Sequence, residues 1–419
     1  MFYFWTCSFG FRVAITIMAY VPPHKRHPKE GDGPSRVPTS LVWQFKKGLN
    51  SRSPNSKAHL GGRIEHADMA TYRWLAVGLD IDGDHLPSSV FLKPVSIEWG
   101  SGEKQLALAR SCTVKEDDET GRDNRKKPWE HIAETVTQDL VRSFEALRSE
   151  IKDQSIGEIK PTMVARFGKV LFRRSPSFPV ETCGDMATEA SLKRLKRSFY
   201  AFLPFSYVEN VTCKVIPEVG LSFEDEKDIY HVELSDKSRP GTTICCKCSV
   251  LKAEQRLELY KVELGQVRHL VVDVSCLNKD LDMRLMLRTK RILTAINENE
   301  KNSIRDLVTS AVLDSSVKGG LRWPLEEASS GDRYSVIGVW HTISSTYRNS
   351  LMRLKVRHAE RFDLRNSHGE VTEEVTLKLN GMTSELHGQS LDTNSISDLL
   401  KDAIKIMWEH FLSCGIPII

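Results

Sequence analysis

From Tyr200 onward the chain is dominated by short runs in which apolar and polar residues alternate, the period-two signature of strands that bury one face. The alternation predicts strands at 229–234, 242–251, 256–264, 268–276, 283–293, 335–342, 351–357 and 371–379. Before Tyr200, the runs Tyr72–Asp80 and Ser89–Trp99 alternate in the same way and flank Asp82-Gly83, a hairpin signal. Met163–Arg173 reads as a further strand. Helical spacing is clearest over Trp129–Lys152, where Ile132, Val136, Leu140, Phe144, Leu147 and Ile151 share one face. Ile304, Leu307, Val308, Ala311 and Val312 line a second helix. Ile396, Leu399, Leu400, Ala403, Met407 and Phe411 line a third, with Ser395 as its expected N-cap. Successive strands without intervening helices imply antiparallel pairing. The expected class is therefore α+β, a mainly antiparallel sheet with three or four packed helices.

The remaining chain divides by composition. Residues 1–21 are apolar, but Arg12 splits them into pieces of about ten residues, half of what a spanning helix needs. No membrane segment is predicted, and Met18 reads as the usual start, with 1–17 as an upstream extension. Residues 18–62 are rich in Pro, Gly, Ser and basic residues and are expected to be a disordered basic tail. Within it Trp43 and Phe45 sit in a short amphipathic segment able to dock on the body or on a partner. The folded body is placed at 63–415, with a division into two lobes near 175–198.

Charge sharpens this division. The chain carries 59 Lys/Arg against 55 Asp/Glu, net +4, yet residues 1–60 hold nine basic against two acidic residues, leaving the body at −3. The nine scattered cysteines lack the density of a disulfide scaffold, which favours the reducing cytoplasm or nucleus.

Signatures of the common catalytic classes are absent. Gly168-Lys169 is followed by Val170 rather than Ser or Thr, and no G-x-G-x-x-G follows a strand. There is no G-x-S-x-G and no H-E-x-x-H. Asp80-Ile81-Asp82-Gly83-Asp84 has its glycine fourth, where a calcium loop needs it sixth. His231-Val232-Glu233 with Cys245, Cys246 and Cys248 has the residue types of a zinc deaminase. Cys246 and Cys248, however, share a strand face with Ile244 and Val250, a core face. No cofactor or metal is predicted, and the balance leans against an enzyme.

The polar faces of two late strands are the best binding candidates. Arg284, Arg288 and Lys290 alternate with apolar residues, and so do Arg353, Lys355 and Arg357. If the two strands lie close, six cations line one face that attracts phosphates, with Trp340 or Tyr334 available to stack bases. The alternative is a solvent face balanced by acids such as Asp282, Glu258 and Glu374. Arg322 and Trp323, in a Gly/Arg/aromatic loop after Gly319-Gly320, form a second candidate surface, or simply close the core edge.

The segment Ala19-Tyr20-Val21-Pro22-Pro23-His24-Lys25-Arg26-His27 is distinctive. With KDIYHVELSD (227–236), VKGGLRWPLEEASSGDRYSVIGVWH (317–341) and MRLKVRHAERFD (352–363), it resembles a plant family of unknown function whose members open MAYVPPHKRH. That resemblance implies no catalytic residues. Tyr20–Arg26 is also similar to N-terminal tails of DEAD-box RNA helicases, with Lys25 where their pattern has Leu and none of the helicase core motifs present. Pro22-Pro23 favours an extended segment that presents Tyr20, His24, Lys25 and Arg26.

Together these features favour a non-enzymatic protein associated with RNA or ribonucleoprotein through its basic tail and a sheet or loop surface. A protein–protein scaffold without RNA contact is one alternative. An enzyme acting on phosphorylated substrates in a basic sheet cavity is the other, and it requires the strand cations to converge inward.

Overall fold

The computed structural model describes residues 70–78, 90–95, 105–110, 127–153, 158–173, 192, 195–239, 243–251, 254–293, 296–323, 333–387 and 392–413. Among these described residues fifteen strands join in one mixed sheet. They are β1 (Thr71–Val77), β2 (Val90–Val95), β3 (Gln105–Arg110), β4 (Glu158–Arg173), β5 (Lys196–Tyr200), β6 (Ser222–Asp236), β7 (Thr243–Leu251) and β8 (Arg256–Leu264). The rest are β9 (Val267–Cys276), β10 (Asp282–Ile292), β11 (Val312–Leu313), β12 (Leu321–Arg322), β13 (Tyr334–Arg348), β14 (Met352–Asp363) and β15 (His368–Leu379). The helices are α1 (Pro128–Asp153), α2 (Phe205–Asn210, continued by a π-helical turn to Val215 and by Ile216–Glu218), α3 (Glu298–Thr309), α4 (Asn380–His387) and α5 (Thr393–Ile406, continued by a π-helical turn to Phe411).

This overturns the expected α+β class. Among the described residues strand outweighs helix, 53% against 29%, and the sheet is mixed and fifteen-stranded rather than a mainly antiparallel sheet under three or four helices. Two causes are visible. β4 and β6 run to 16 and 15 residues because polar positions that read as connections are in fact paired in the ladder. And β1 does not form a hairpin with β2: it adds in parallel to the edge of β9, from Thr71 opposite Leu270 to Val77 opposite Cys276. β2 pairs with β3 instead, and the Asp82-Gly83 turn lies outside the described residues.

Eight of the strands close a ring. β10 pairs with β4, β4 with β15, β15 with β14, β14 with β13, β13 with β6, β6 with β7 and β7 with β8, each antiparallel. The circuit is completed where Ile292 of β10 meets Glu263 of β8, with the Leu293 amide donating to the Val262 carbonyl at 3.2 Å. The result is a β-barrel, whose strand faces must alternate between inside and outside.

The apolar residues take the outside. Met163, Ala165 and Phe167 of β4, Met283, Leu285 and Leu287 of β10, and Leu354 and Leu377 pack under α1, α2 and α5. α1 forms because Ile132, Val136, Leu140, Phe144 and Leu147 make one continuous face, all 0–1% exposed. α5 stacks Phe411 on Phe167 with centroids 5.1 Å apart. Its cap is Asp392, whose side chain accepts from the Asn394 amide at 3.0 Å, so the expected cap Ser395 falls inside the first turn. On the other flank Val232, Leu234, Ile244, Cys246, Cys248 and Val339 pack against Ile304 and Val308 of α3. The two cysteines thus face a core, as their strand position implies. No helix among the described residues is long and apolar enough to cross a membrane.

Candidate anion-binding cavity

With the apolar faces turned outward under helices, the polar faces of the ring strands are turned inward, and they enclose a cavity of about 880 Å³. Every ring strand contributes at period two. β4 supplies Lys160, Thr162 and Arg166; β15 supplies Thr376 and Lys378; β14 supplies Arg353, Lys355 and Arg357. β6 contributes Lys227, His231 and Glu233; β7, Cys245 and Lys247; β8, Lys261 and Glu263. Arg288 and Lys290 of β10, Arg268 of β9, and Trp340 and Thr346 of β13 complete the wall. Twelve Lys/Arg therefore face one cavity against two carboxylates, Glu233 and Glu263, in a body whose sequence is net acidic.

The cations are partly compensated at the cavity's margins. Glu263 takes Lys261 at 2.7 Å, Lys247 at 3.0 Å and Lys290 at 3.5 Å. Burial pushes its carboxyl up, but Lys290, Lys261 and Lys247 outweigh burial and hold it near 2. Arg353 bonds Glu224 at 2.5 Å, and Arg357 lies 3.5 Å from Glu374. Glu374 is shared with Arg361, 2.6 Å away, whose guanidinium stacks on Trp340 at 4.9 Å. The acidic run Glu224-Asp225-Glu226 is thus part of β6 and partly spent on Arg353 and Lys227.

Lys355 differs. Its cross-strand neighbours are Thr346 on β13 and Thr376 on β15, and it has no carboxylate partner among the described residues. Residues two apart on a strand are about 7 Å apart, where like charges repel by roughly 2 kcal/mol at an effective dielectric of about 20. Burial, and then Arg357, Lys247, Lys227 and Lys290, push the Lys355 ammonium down to about 7. Burial and Lys247 bring Lys290 to about 8. His231, half-buried and facing the same cations, is held well below its ordinary value by desolvation and by Lys247 and Arg357. Cys245 Sγ lies 3.7 Å from His231 Nδ1, and burial pushes its thiol up to about 12. Among the described residues no cluster of three or more His, Cys, Asp or Glu is arranged to hold a metal ion.

Of the six strand cations singled out in the sequence, Arg288, Lys290, Arg353, Lys355 and Arg357 meet in this cavity. They are not on adjacent strands; β4 and β15 separate β10 from β14, and ring closure turns the two faces toward one interior. Arg284 is withdrawn, 1% exposed and bound to Asp273. Tyr334 belongs to the core under α3. Arg322 pairs with Asp314 at 3.2 Å on the surface. Trp323 donates its indole N–H to the Leu307 carbonyl at 2.9 Å, tying its segment to α3. Tyr20, His24, Lys25, Arg26, Trp43 and Phe45 lie outside the described residues. Lys160, Arg166, Lys227, Lys247, Lys261, Arg268 and Lys378 were not anticipated. The available signal was a cation at every second position on nearly every long strand.

A family model described as a domain of unknown function, DUF7903, matches residues 58–411. The chain belongs to the DUF7903 family. Its match spans the whole ring and the helices that cover it. Among curated proteins none matches the sequence. Two solved structures of the S. pombe Pct1 RNA triphosphatase are similar at low level. One shows 10% identity, a TM-score of 0.38, and coverage of 70% of this chain and 95% of that one. The other, in complex with the Spt5 CTD, shows 9%, 0.39, 67% and 94%. The PH1012 protein from Pyrococcus horikoshii OT3 shows 8% identity and a TM-score of 0.23, covering 52% of this chain and 93% of that one. At such scores neither fold nor activity passes from those proteins to this DUF7903 chain.

Proposed function

We propose that the DUF7903 barrel binds a compact polyphosphorylated anion inside its cavity. One observation carries this: twelve cations and two carboxylates enclosed by the inward faces of a closed ring. A protein does not gather like charges in a partly desolvated space for stability, because each repels the others and loses hydration. The arrangement is favourable once an anion of several charges neutralises it, and phosphate groups suit both the Arg forks and the Lys point charges. Enclosure also matters. Ten of the twelve are half-buried or buried, Lys160 and Lys227 being the exposed ones, which favours a small multivalent anion over a nucleic-acid strand lying on an open sheet.

The test is calorimetric titration of the full chain with inorganic tripolyphosphate at several salt concentrations. The expected result is saturable 1:1 binding that weakens as salt rises. Lys355→Gln should weaken it about tenfold, roughly 1.4 kcal/mol, while leaving the melting temperature of the free protein the same or higher. Binding that is absent at low salt, or indifferent to Lys355→Gln, would overturn the proposal.

A further inference from the structure

Lys355 stands apart from the other cavity cations by its surroundings. Arg353, Arg357, Lys227, Lys247, Lys261 and Lys290 each have a carboxylate within 4 Å. Lys355 has instead the hydroxyl residues Thr346 and Thr376 directly opposite on its two neighbouring strands, and arginines two positions away on its own. Directly opposed residues hold their Cβ atoms about 5 Å apart, so both threonines line the wall from which Lys355 projects, and the Thr346 hydroxyl bonds Asp225. Lys355 lines the cavity together with the other cations. A lysine among other cations, desolvated and without a counter-ion, is the setting in which an amine becomes a nucleophile.

We infer that Lys355 is a nucleophilic amine that condenses reversibly with an aldehyde or ketone carrying a phosphate group. The inference rests on the reading of the cavity as an anion site, with the surrounding Arg and Lys side chains holding the phosphate. The Lys355 nitrogen lone pair attacks the carbonyl carbon, and the carbonyl oxygen takes up a proton to give a carbinolamine. Loss of water then gives the imine, with no change of oxidation state and no further reactant. The ammonium's titration near 7 leaves a large neutral fraction at physiological pH, where an ordinary lysine has almost none. Lys378, another cavity lysine without a carboxylate partner among the described residues, stands opposite Arg353 and Val164 and has no such hydroxyl pair.

The experiment treats the full chain with pyridoxal phosphate, traps imines with borohydride and maps modified lysines by peptide mass spectrometry. The expected result is a dominant label on Lys355, at least tenfold above any other lysine, suppressed by tripolyphosphate. Lys355→Arg keeps the positive charge but removes the nucleophile. It should abolish that label while leaving the labelling of the other lysines as in the unmutated chain. Reductive methylation with formaldehyde, a neutral carbonyl, separates the two ideas. Tripolyphosphate that binds while neither carbonyl labels Lys355 preferentially would sink the nucleophile and spare the anion site. Formaldehyde labelling of Lys355 with no binding of, or protection by, tripolyphosphate would do the reverse. Even labelling across the surface lysines overturns the inference, and because that readout needs only the unmutated protein, it does not depend on the variant folding.

Discussion

Arg284 on β10 stands directly opposite Asp273 on β9, and its Nε and Nη2 donate to the two carboxylate oxygens at 2.5 and 2.7 Å. The pair is almost fully buried, at 1% and 0% exposure. Tyr72 of β1 donates its hydroxyl to the same carboxylate at 2.7 Å, and Phe199 lies 4.8 Å from the guanidinium carbon. The pair thus links the parallel β1–β9 extension to the barrel and removes one cation from the cavity. Losing one partner of a buried pair leaves an uncompensated charge, so Asp273→Ala should cost about 3–5 kcal/mol. Replacing both with apolar residues of similar size should cost far less. Denaturant unfolding of the two single variants and the double variant checks this, and strict additivity would contradict it.

Gly168 is where β4 leaves the barrel to carry β5. A Cβ placed there would sit 2.0 Å from the Tyr200 carbonyl oxygen, which is backbone and cannot swing aside. Gly168→Ala should therefore push β5 off β4 and loosen Phe199 beneath Arg284, at a cost of about 1–3 kcal/mol or more. Amide hydrogen exchange should show the loss concentrated at 196–200. Uniform exchange across the sheet, or wild-type stability, would contradict a local clash.

How much of this is legible in the sequence depends on what a single strand reveals. The alternation of Arg288 and Lys290 with Leu287 and Thr289, and of Lys355 with Leu354 and Val356, shows which residues share a face. It does not show which face is enclosed. The usual assignment puts apolar residues inside and cations in solvent, and here ring closure reverses it, because α1, α2, α3 and α5 cover the outside. Nothing local marks the Ile292–Glu263 contact that closes the ring. The same reversal hid the lengths of β4 and β6, since Lys160 and Lys227 lie outside the strands that alternation marks, 163–173 and 229–234, until an interior exists for them. The core helix α1, whose pattern is local and continuous, was readable as it stands.

Glu263 is the hub that keeps the lysine side of the cavity together. Its folded value near 2 lies below the ordinary 4.5, so its contribution to stability is present above pH 4.5 and is lost as pH falls from there toward 2. Glu263→Gln imitates the protonated state at neutral pH. Lys247, Lys261 and Lys290 then face one another without a counter-charge. The expected loss is about 2 kcal/mol, under the 3–5 of a fully buried pair because the lysines keep some solvent contact. Tripolyphosphate should restore part of it by binding the folded state. Thermal unfolding of both proteins with and without the anion decides; an unshifted variant would show that the ion pairs are passive.

Lys355 and Lys290 tie the cavity to pH in the opposite sense. Both are depressed in the fold, to about 7 and about 8 from 10.5, so between those values and 10.5 the unfolded chain binds more protons than the folded one. Their contribution to the stability of the free protein therefore grows as pH rises from about 7 to about 10. Anion binding runs the other way. A bound phosphate favours the charged ammonium, so at pH 8 binding must draw protons from solution, and affinity must fall as pH climbs from 7 to 9. Calorimetry of tripolyphosphate binding at pH 8 in two buffers of different ionisation enthalpy reads the uptake directly. Between one and one and a half protons are expected for the unmutated chain, about 0.9 from Lys355 and about 0.5 from Lys290, and clearly less for Lys355→Gln, whose affinity should also vary less with pH. Equal heats in the two buffers would mean that Lys355 does not change its charge when the cavity fills.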